Sequence, residues 1–148
     1  MISSVIREKV LLGCAPVVLF WIGMLACNQK PQTEAAPQKP AVLESKEGLA
    51  SFYGEESQGD ETASGEPFDK RLFTAAHPTY PLGTTVRVTN LDNQQSIELR
   101  INDRGPSRHN RREGVIIDIS RASARRLSFT HDGRALVRVD VLEWGTPK

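Results

Sequence analysis

The sequence predicts a mainly β domain of about six short strands and one short helix, closed into a barrel or stacked as a sandwich. Three observations carry this. Apolar and polar residues alternate through residues 84–90, 96–102 and 135–144, with β-branched side chains prominent. Turn-forming residues such as Pro81-Leu82-Gly83 and Asp92-Asn93 separate the runs. The first 46 of the 148 residues are unsuited to a packed core, which leaves about 100 residues, enough for one.

Each element follows from its residues. Gly48-Leu49-Ala50-Ser51-Phe52-Tyr53-Gly54 is a run bounded by glycines and predicts the first strand. Residues 58–69 are polar and turn-rich and predict a loop. Residues 72–76 predict a short buried strand. Residues 84–90 and 96–102 predict a hairpin, with Ile97, Leu99 and Ile101 on one face. Residues 115–119 form a continuous apolar run broken only by Asp118. Ser120 can cap a helix running through Ala124 and Leu127. Residues 135–144 place Val137, Val139 and Val141 on one face of the last strand. Val86-Arg87-Val88 returns as Val137-Arg138-Val139, a short internal repeat of the kind two half-barrels would leave.

Lys plus Arg number 19 and Asp plus Glu 18, a net charge of +1. That balance argues against a general nucleic-acid binder, which needs a basic excess. A hydrophobic content of 39% excludes wholesale disorder. Both cysteines, Cys14 and Cys27, precede the globular part, so no disulfide framework or cysteine zinc site is expected there. No metal-ligand spacing links His77, His109 and His131, and no phosphate loop, serine-nucleophile motif or HExxH helix is present. No cofactor or metal is therefore expected.

The N-terminus reads as an address. Arg7 and Lys9 precede 17 uncharged residues, 10–26, ending in Met24-Leu25-Ala26-Cys27. A membrane-spanning helix needs ~20 apolar residues, so the run is slightly short, although an uncleaved anchor is the alternative. The ending resembles a bacterial lipobox. Residues 1–26 are expected to be a lipoprotein signal peptide, with lipid on Cys27. Removing Arg7, Glu8 and Lys9 leaves 17 basic and 17 acidic side chains, so net charge steers no partner. Residues 27–46, with Pro31, Pro37 and Pro40 and no aromatic residue, are expected to be the lipidated Cys and a flexible tether. Residues 47–145 would form the barrel domain.

Ile101-Asn102-Asp103-Arg104-Gly105-Pro106 is the most informative stretch for chemistry. Asp103 shares the parity of Ile97, Leu99 and Ile101, which would aim it inward at a strand end. A carboxyl at the rim of an apolar core is partly desolvated, the setting of a general acid. The alternative, that Asp103 caps its own turn or pairs with Arg104, stays open. Tyr53 and Phe52 can stack on a sugar ring or join the core. Asp118 reads as a local hydrogen-bonding residue near the helix start. Arg108, His109, Asn110, Arg111 and Arg112 form a basic loop that is either solvated or an anion or glycan contact.

Taken in order, Gly48-Leu49-Ala50-Ser51-Phe52-Tyr53-Gly54, Thr62-Ala63-Ser64-Gly65-Glu66-Pro67-Phe68, Leu72-Phe73-Thr74-Ala75-Ala76-His77, residues 81–90, residues 101–106 and Ile116-Ile117-Asp118-Ile119-Ser120 resemble the rare lipoprotein A family. The family comprises bacterial lipoproteins with a double-psi β-barrel domain related to barwin and expansins. The resemblance implies a six-stranded double-psi β-barrel with one or two short helices. It implies an endolytic lytic transglycosylase that cuts the MurNAc–GlcNAc bonds of peptidoglycan strands poor in stem peptides and leaves 1,6-anhydro ends. It places the catalytic acid/base on Asp103, with Glu66 and His77 beside it, and puts Tyr53, Phe52, Thr74, Asn102 and Arg104 against the glycan. A monomer without nucleic-acid partners is expected. Asn28 after the lipidated Cys implies the outer membrane, facing the periplasm, rather than the inner. Three departures stand out: Phe52 replaces the family's usual Trp, the segment between Pro106 and Ile116 is longer and more basic, and no septal peptidoglycan-binding domain follows. Septal targeting is thus not supported by the sequence. A polysaccharide-binding envelope lipoprotein without catalysis is the alternative function, and an ordinary hydrolase a third.

Overall fold

A computed structural model describes residues 40–146. The predicted signal peptide, Cys27 and most of the predicted tether lie outside them. Six strands are present: β1 (Glu44–Phe52), β2 (Thr74–Ala76), β3 (Thr85–Asn90), β4 (Ser96–Asp103), β5 (Val115–Ile119) and β6 (Ala135–Glu143). Two short helices, α1 (Arg108–Arg112) and α2 (Arg121–Arg126), and a 3-10 turn at Glu55–Ser57 complete the elements. The strands close in the order β1-β5-β2-β4-β3-β6. β1 runs parallel to β5 and β2 parallel to β4, while every other pairing is antiparallel. Closure removes the unpaired edges that a sandwich would keep.

Alternation accounts for the interior. Val86 and Val88 of β3, Leu99 and Ile101 of β4, Ile117 and Ile119 of β5, and Val137, Val139 and Val141 of β6 are buried together with Leu127 and Phe129. The two Val-Arg-Val copies lie on adjacent antiparallel strands, with Val88 opposite Val139 and Val86 opposite Val141. Ser120 caps α2 by accepting the Ser123 N–H at 3.2 Å. Ile117→Ala, which empties the barrel's centre, is expected to cost about 2–5 kcal/mol by urea denaturation. Leu136→Ala, on the half-exposed face of β6, is expected to cost within about 0.5 kcal/mol.

Three local expectations are corrected. β1 begins at Glu44, inside the stretch assigned to the tether, because β6 pairs with it from Val141 back to Ala135. Its first residues are polar because that end of the strand faces outward. β2 is only three residues long, and Leu72 and Phe73 are 53% and 52% exposed instead of buried. The basic loop is the short helix α1, whose N-cap Ser107 accepts the Asn110 N–H at 3.2 Å. No helix among the described residues is long and apolar enough to cross a membrane.

Candidate active site

The strand register lines up four residues across four neighbouring strands. Ser51 of β1 lies opposite Asp118 of β5, Asp118 opposite Ala76 of β2, and Ala76 opposite Asp103 of β4. Lateral neighbours in a sheet present their side chains to the same face. Two carboxyls therefore flank Ala76, one on each side. With strands ~4.8 Å apart, their backbones stand about 10 Å from each other.

Asp103 reaches this row through a bulge. Ala75 pairs with Ile101, but Ala76 pairs with Asp103, so Asn102 is an extra residue in β4. The bulge shifts every later side chain to the opposite face. Parity alone aims Asp103 at the core; the bulge turns it out of the core instead. There its Oδ1 accepts the N–H groups of Ala63 at 2.9 Å and Arg104 at 2.8 Å, and its Oδ2 accepts the Tyr53 hydroxyl at 2.8 Å. The Arg104 guanidinium turns away from Asp103, donating to the carbonyls of Tyr80 at 2.9 Å and His77 at 3.5 Å. Asp103 is thus neither core-facing nor ion-paired with its neighbour. Burial, and then the bond to Asp103, push the Tyr53 phenol far above its usual range, so it stays a donor.

Asp118 differs. Its Oδ1 accepts the hydroxyl of Ser51, 67 residues away in sequence, so the expected local bond near the helix start is not what forms. Burial pushes its carboxyl up, and the nearby Asp103 adds to the rise against the opposing Ser51 bond. The loop that covers the row comes closest to it at Gly105, where a side chain would be tight. A Cβ on Gly105 would stand 3.0 Å from the Ala76 Cβ and 3.3 Å from Asp118 Oδ2.

A groove of about 480 Å³ opens here, lined by Tyr53, Pro78, Arg104, Gly105, Pro106, Ser107, Arg108, Arg111 and Asp118. Of the residues expected against the glycan, Tyr53 and Arg104 line this groove. Phe52 does not: its ring packs on Phe129 at 6.0 Å and under the Arg121 guanidinium at 5.7 Å. Thr74 and Asn102 are buried, in β2 and at the bulge, and are not part of the groove wall.

Glu66 and His77 lie at one remove from the carboxyls. Glu66 is exposed and pairs with Arg100 at 2.6 Å. It closes the 62–66 turn, through its carbonyl bond to the Thr62 N–H at 2.9 Å, that presents the Ala63 N–H to Asp103. The backbone N–H of His77 donates to the Asp103 carbonyl at 3.2 Å. The residue is 4% exposed, and its ring stacks on Tyr80 at 3.5 Å and accepts the Thr79 and Tyr80 N–H groups at Nδ1. Burial, followed by the charge of Lys46, lowers this imidazole from 6.5 to about 4. It is neutral at pH 7, with its proton on Nε2. Between those two values the unfolded chain binds a proton that the folded chain refuses, so stability falls as pH falls through that window. The loss is expected to reach about 1–2 kcal/mol after allowance for solvent screening. Melting temperatures recorded from about pH 7 down to about pH 4 check it, because His77→Gln should lack that component.

Among the described residues no group of three or more His, Cys, Asp or Glu is placed to hold a metal ion. Ser51 and Gly105 carried no functional signal in the sequence. Asp118 carried one, an acid inside an apolar strand, which needs a partner wherever it is buried.

A closed six-stranded double-psi barrel with paired carboxyls beside an open groove is the class of protein these features define. Residues 45–139 match the lytic transglycolase family, and the chain belongs to that family. It is 40% identical over 110 residues to the endolytic peptidoglycan transglycosylase RlpA of Campylobacter jejuni, covering 74% of this chain and 38% of that one. Against the protein of the same name from Pseudomonas aeruginosa it is 46% identical over 100 residues, covering 66% and 28%. The chain thus spans well under half the length of these curated relatives. Among solved structures, the Streptomyces papain inhibitor superposes with a TM-score of 0.54 at 21% identity, covering 71% of this chain and all of that one. The Clavibacter michiganensis expansin gives 0.51 at 18% identity, covering 70% and 52%. These two likenesses concern the fold.

Proposed function

We propose that this chain is an endolytic peptidoglycan lytic transglycosylase acting on MurNAc–GlcNAc bonds of strands poor in stem peptides. The observation that carries the reading is the pair of carboxyls flanking Ala76 in unlike surroundings. Family membership and the names of the relatives support it. The resemblance assigned both proton transfers to Asp103; the geometry favours dividing them. Asp118, whose burial favours the protonated form, donates its proton to the bridging oxygen as the bond from MurNAc C1 breaks. The C6 hydroxyl oxygen of the same sugar closes onto C1, and its proton passes to Asp103. The proton returns from Asp103 to Asp118 through solvent, so no water is consumed and a 1,6-anhydro end remains. Tyr53 and the Ala63 and Arg104 N–H groups hold Asp103 in place. Glu66 and His77 are positioning residues for the turns on either side.

Digestion of purified, amidase-treated sacculi with mass analysis of the products tests this. Anhydro-ended products are expected. Reducing ends would mean a hydrolase, and intact sacculi that retain the protein would mean a binding lipoprotein.

The uncharged run ending in Leu25-Ala26-Cys27 supports lipidation at Cys27, and Asn28 after it supports attachment to the periplasmic face of the outer membrane. Labelled palmitate is expected to be lost on Cys27→Ala and kept on Cys14→Ala. Label that survives Cys27→Ala would contradict the assignment.

A further inference from the structure

The proton transfers leave the basic wall of the groove without a task. Arg108 and Arg111 line it together with Arg104, Tyr53 and Asp118. Three positions apart on α1, they share one face of the helix. Both are exposed, and neither has an ion pair or a side-chain hydrogen bond among the described residues. Arg112, next on α1, does not line the groove, and the other charges around the wall are engaged. His109 lies 3.4 Å from Glu113, which Arg134 holds at 2.5 Å. Arg104 is occupied by the Tyr80 and His77 carbonyls, and Asp118 by Ser51. Two unpaired guanidinium groups on one wall make a receptor for an anion, and their planar fork of donors suits a carboxylate.

The sugar backbone of peptidoglycan offers one such group. Each MurNAc bears a lactyl arm on C3, an acid when free and a neutral amide when a stem peptide is attached. The arm belongs to the ring whose C1 is cleaved, so its carboxylate lies within one sugar of the reacting bond. We infer that Arg108 and Arg111 form a carboxylate subsite that reads the free lactyl group, so that the charge itself, beyond the mere absence of peptide, selects the strand. This rests on the proposed glycan-cleaving function.

The test uses the full chain and two peptide-free glycan preparations of equal length. One has native lactyl acids; in the other they are converted to methylamides, similar in size but uncharged. The wild type is expected to favour the acid strands by about tenfold or more in kcat/KM, mainly through KM, with the preference shrinking as salt is added. Arg108→Gln/Arg111→Gln should raise KM for acid strands by about tenfold and for amide strands far less, which collapses the preference, and Arg108→Lys/Arg111→Lys should fall between. Equal cleavage of both preparations by the wild type would overturn the inference while leaving the proposed function standing. So would a preference that persists in the glutamine variant. Failure of the wild type to release anhydro ends from either preparation would overturn both.

Discussion

Asp103→Asn is expected to remove nearly all strand cleavage while leaving the barrel folded. The fold survives because the amide reproduces the carboxyl's contacts. Its Oδ1 can still accept the Ala63 and Arg104 N–H groups, and its NH2 group can donate to the Tyr53 hydroxyl, which reverses its role. What the amide cannot do is take the proton from the C6 hydroxyl. Positioned acid/base groups contribute ~10²–10⁴-fold, so anhydro product should fall by that factor with circular dichroism and melting temperature unchanged. Activity within about threefold of wild type would reduce Asp103 to a turn-forming residue.

Asp118→Asn is expected to show a loss of similar size together with a different stability signature. In the native chain, burial and the neighbouring Asp103 disfavour the charged form of Asp118. Its folded value lies above its unfolded one, so at neutral pH this group costs stability, and acidification relieves the cost. The neutral amide keeps the acceptor for the Ser51 hydroxyl and removes that cost. Cleavage should therefore drop ~10²–10⁴-fold while the melting temperature at neutral pH holds or rises. A variant that loses activity only because it unfolds would show the opposite shift.

Much of the barrel was legible from side-chain alternation. The hairpin of β3 and β4, the inward valines of β6 and the Ser120 cap follow from period and capping chemistry within a few residues of each other in sequence. The site was less legible, because its parts meet only through pairing. Nothing in Ile101-Asn102-Asp103 signals a bulge, since the extra residue is defined by β2 lying alongside. Strict alternation therefore aims Asp103 at the core, whereas the bulge turns it to the opposite face. Asp118 pairs with Ser51 across two parallel strands, so the local reading of its environment had no access to its partner. Leu72 and Phe73 read as core by hydrophobicity alone, yet they precede a strand too short to carry them inward. The first residues of β1 lie in a polar stretch whose strand character comes from β6.

The division of acid and base work across Ala76 is tested most directly by a carboxyl-carbon NMR titration of Asp118, in the wild type and in Asp103→Asn. The account predicts that Asp118 titrates above the ordinary aspartate value of about 3.9 and moves down when the Asp103 charge is removed. A titration at or below the ordinary value, unmoved by Asp103→Asn, would contradict it.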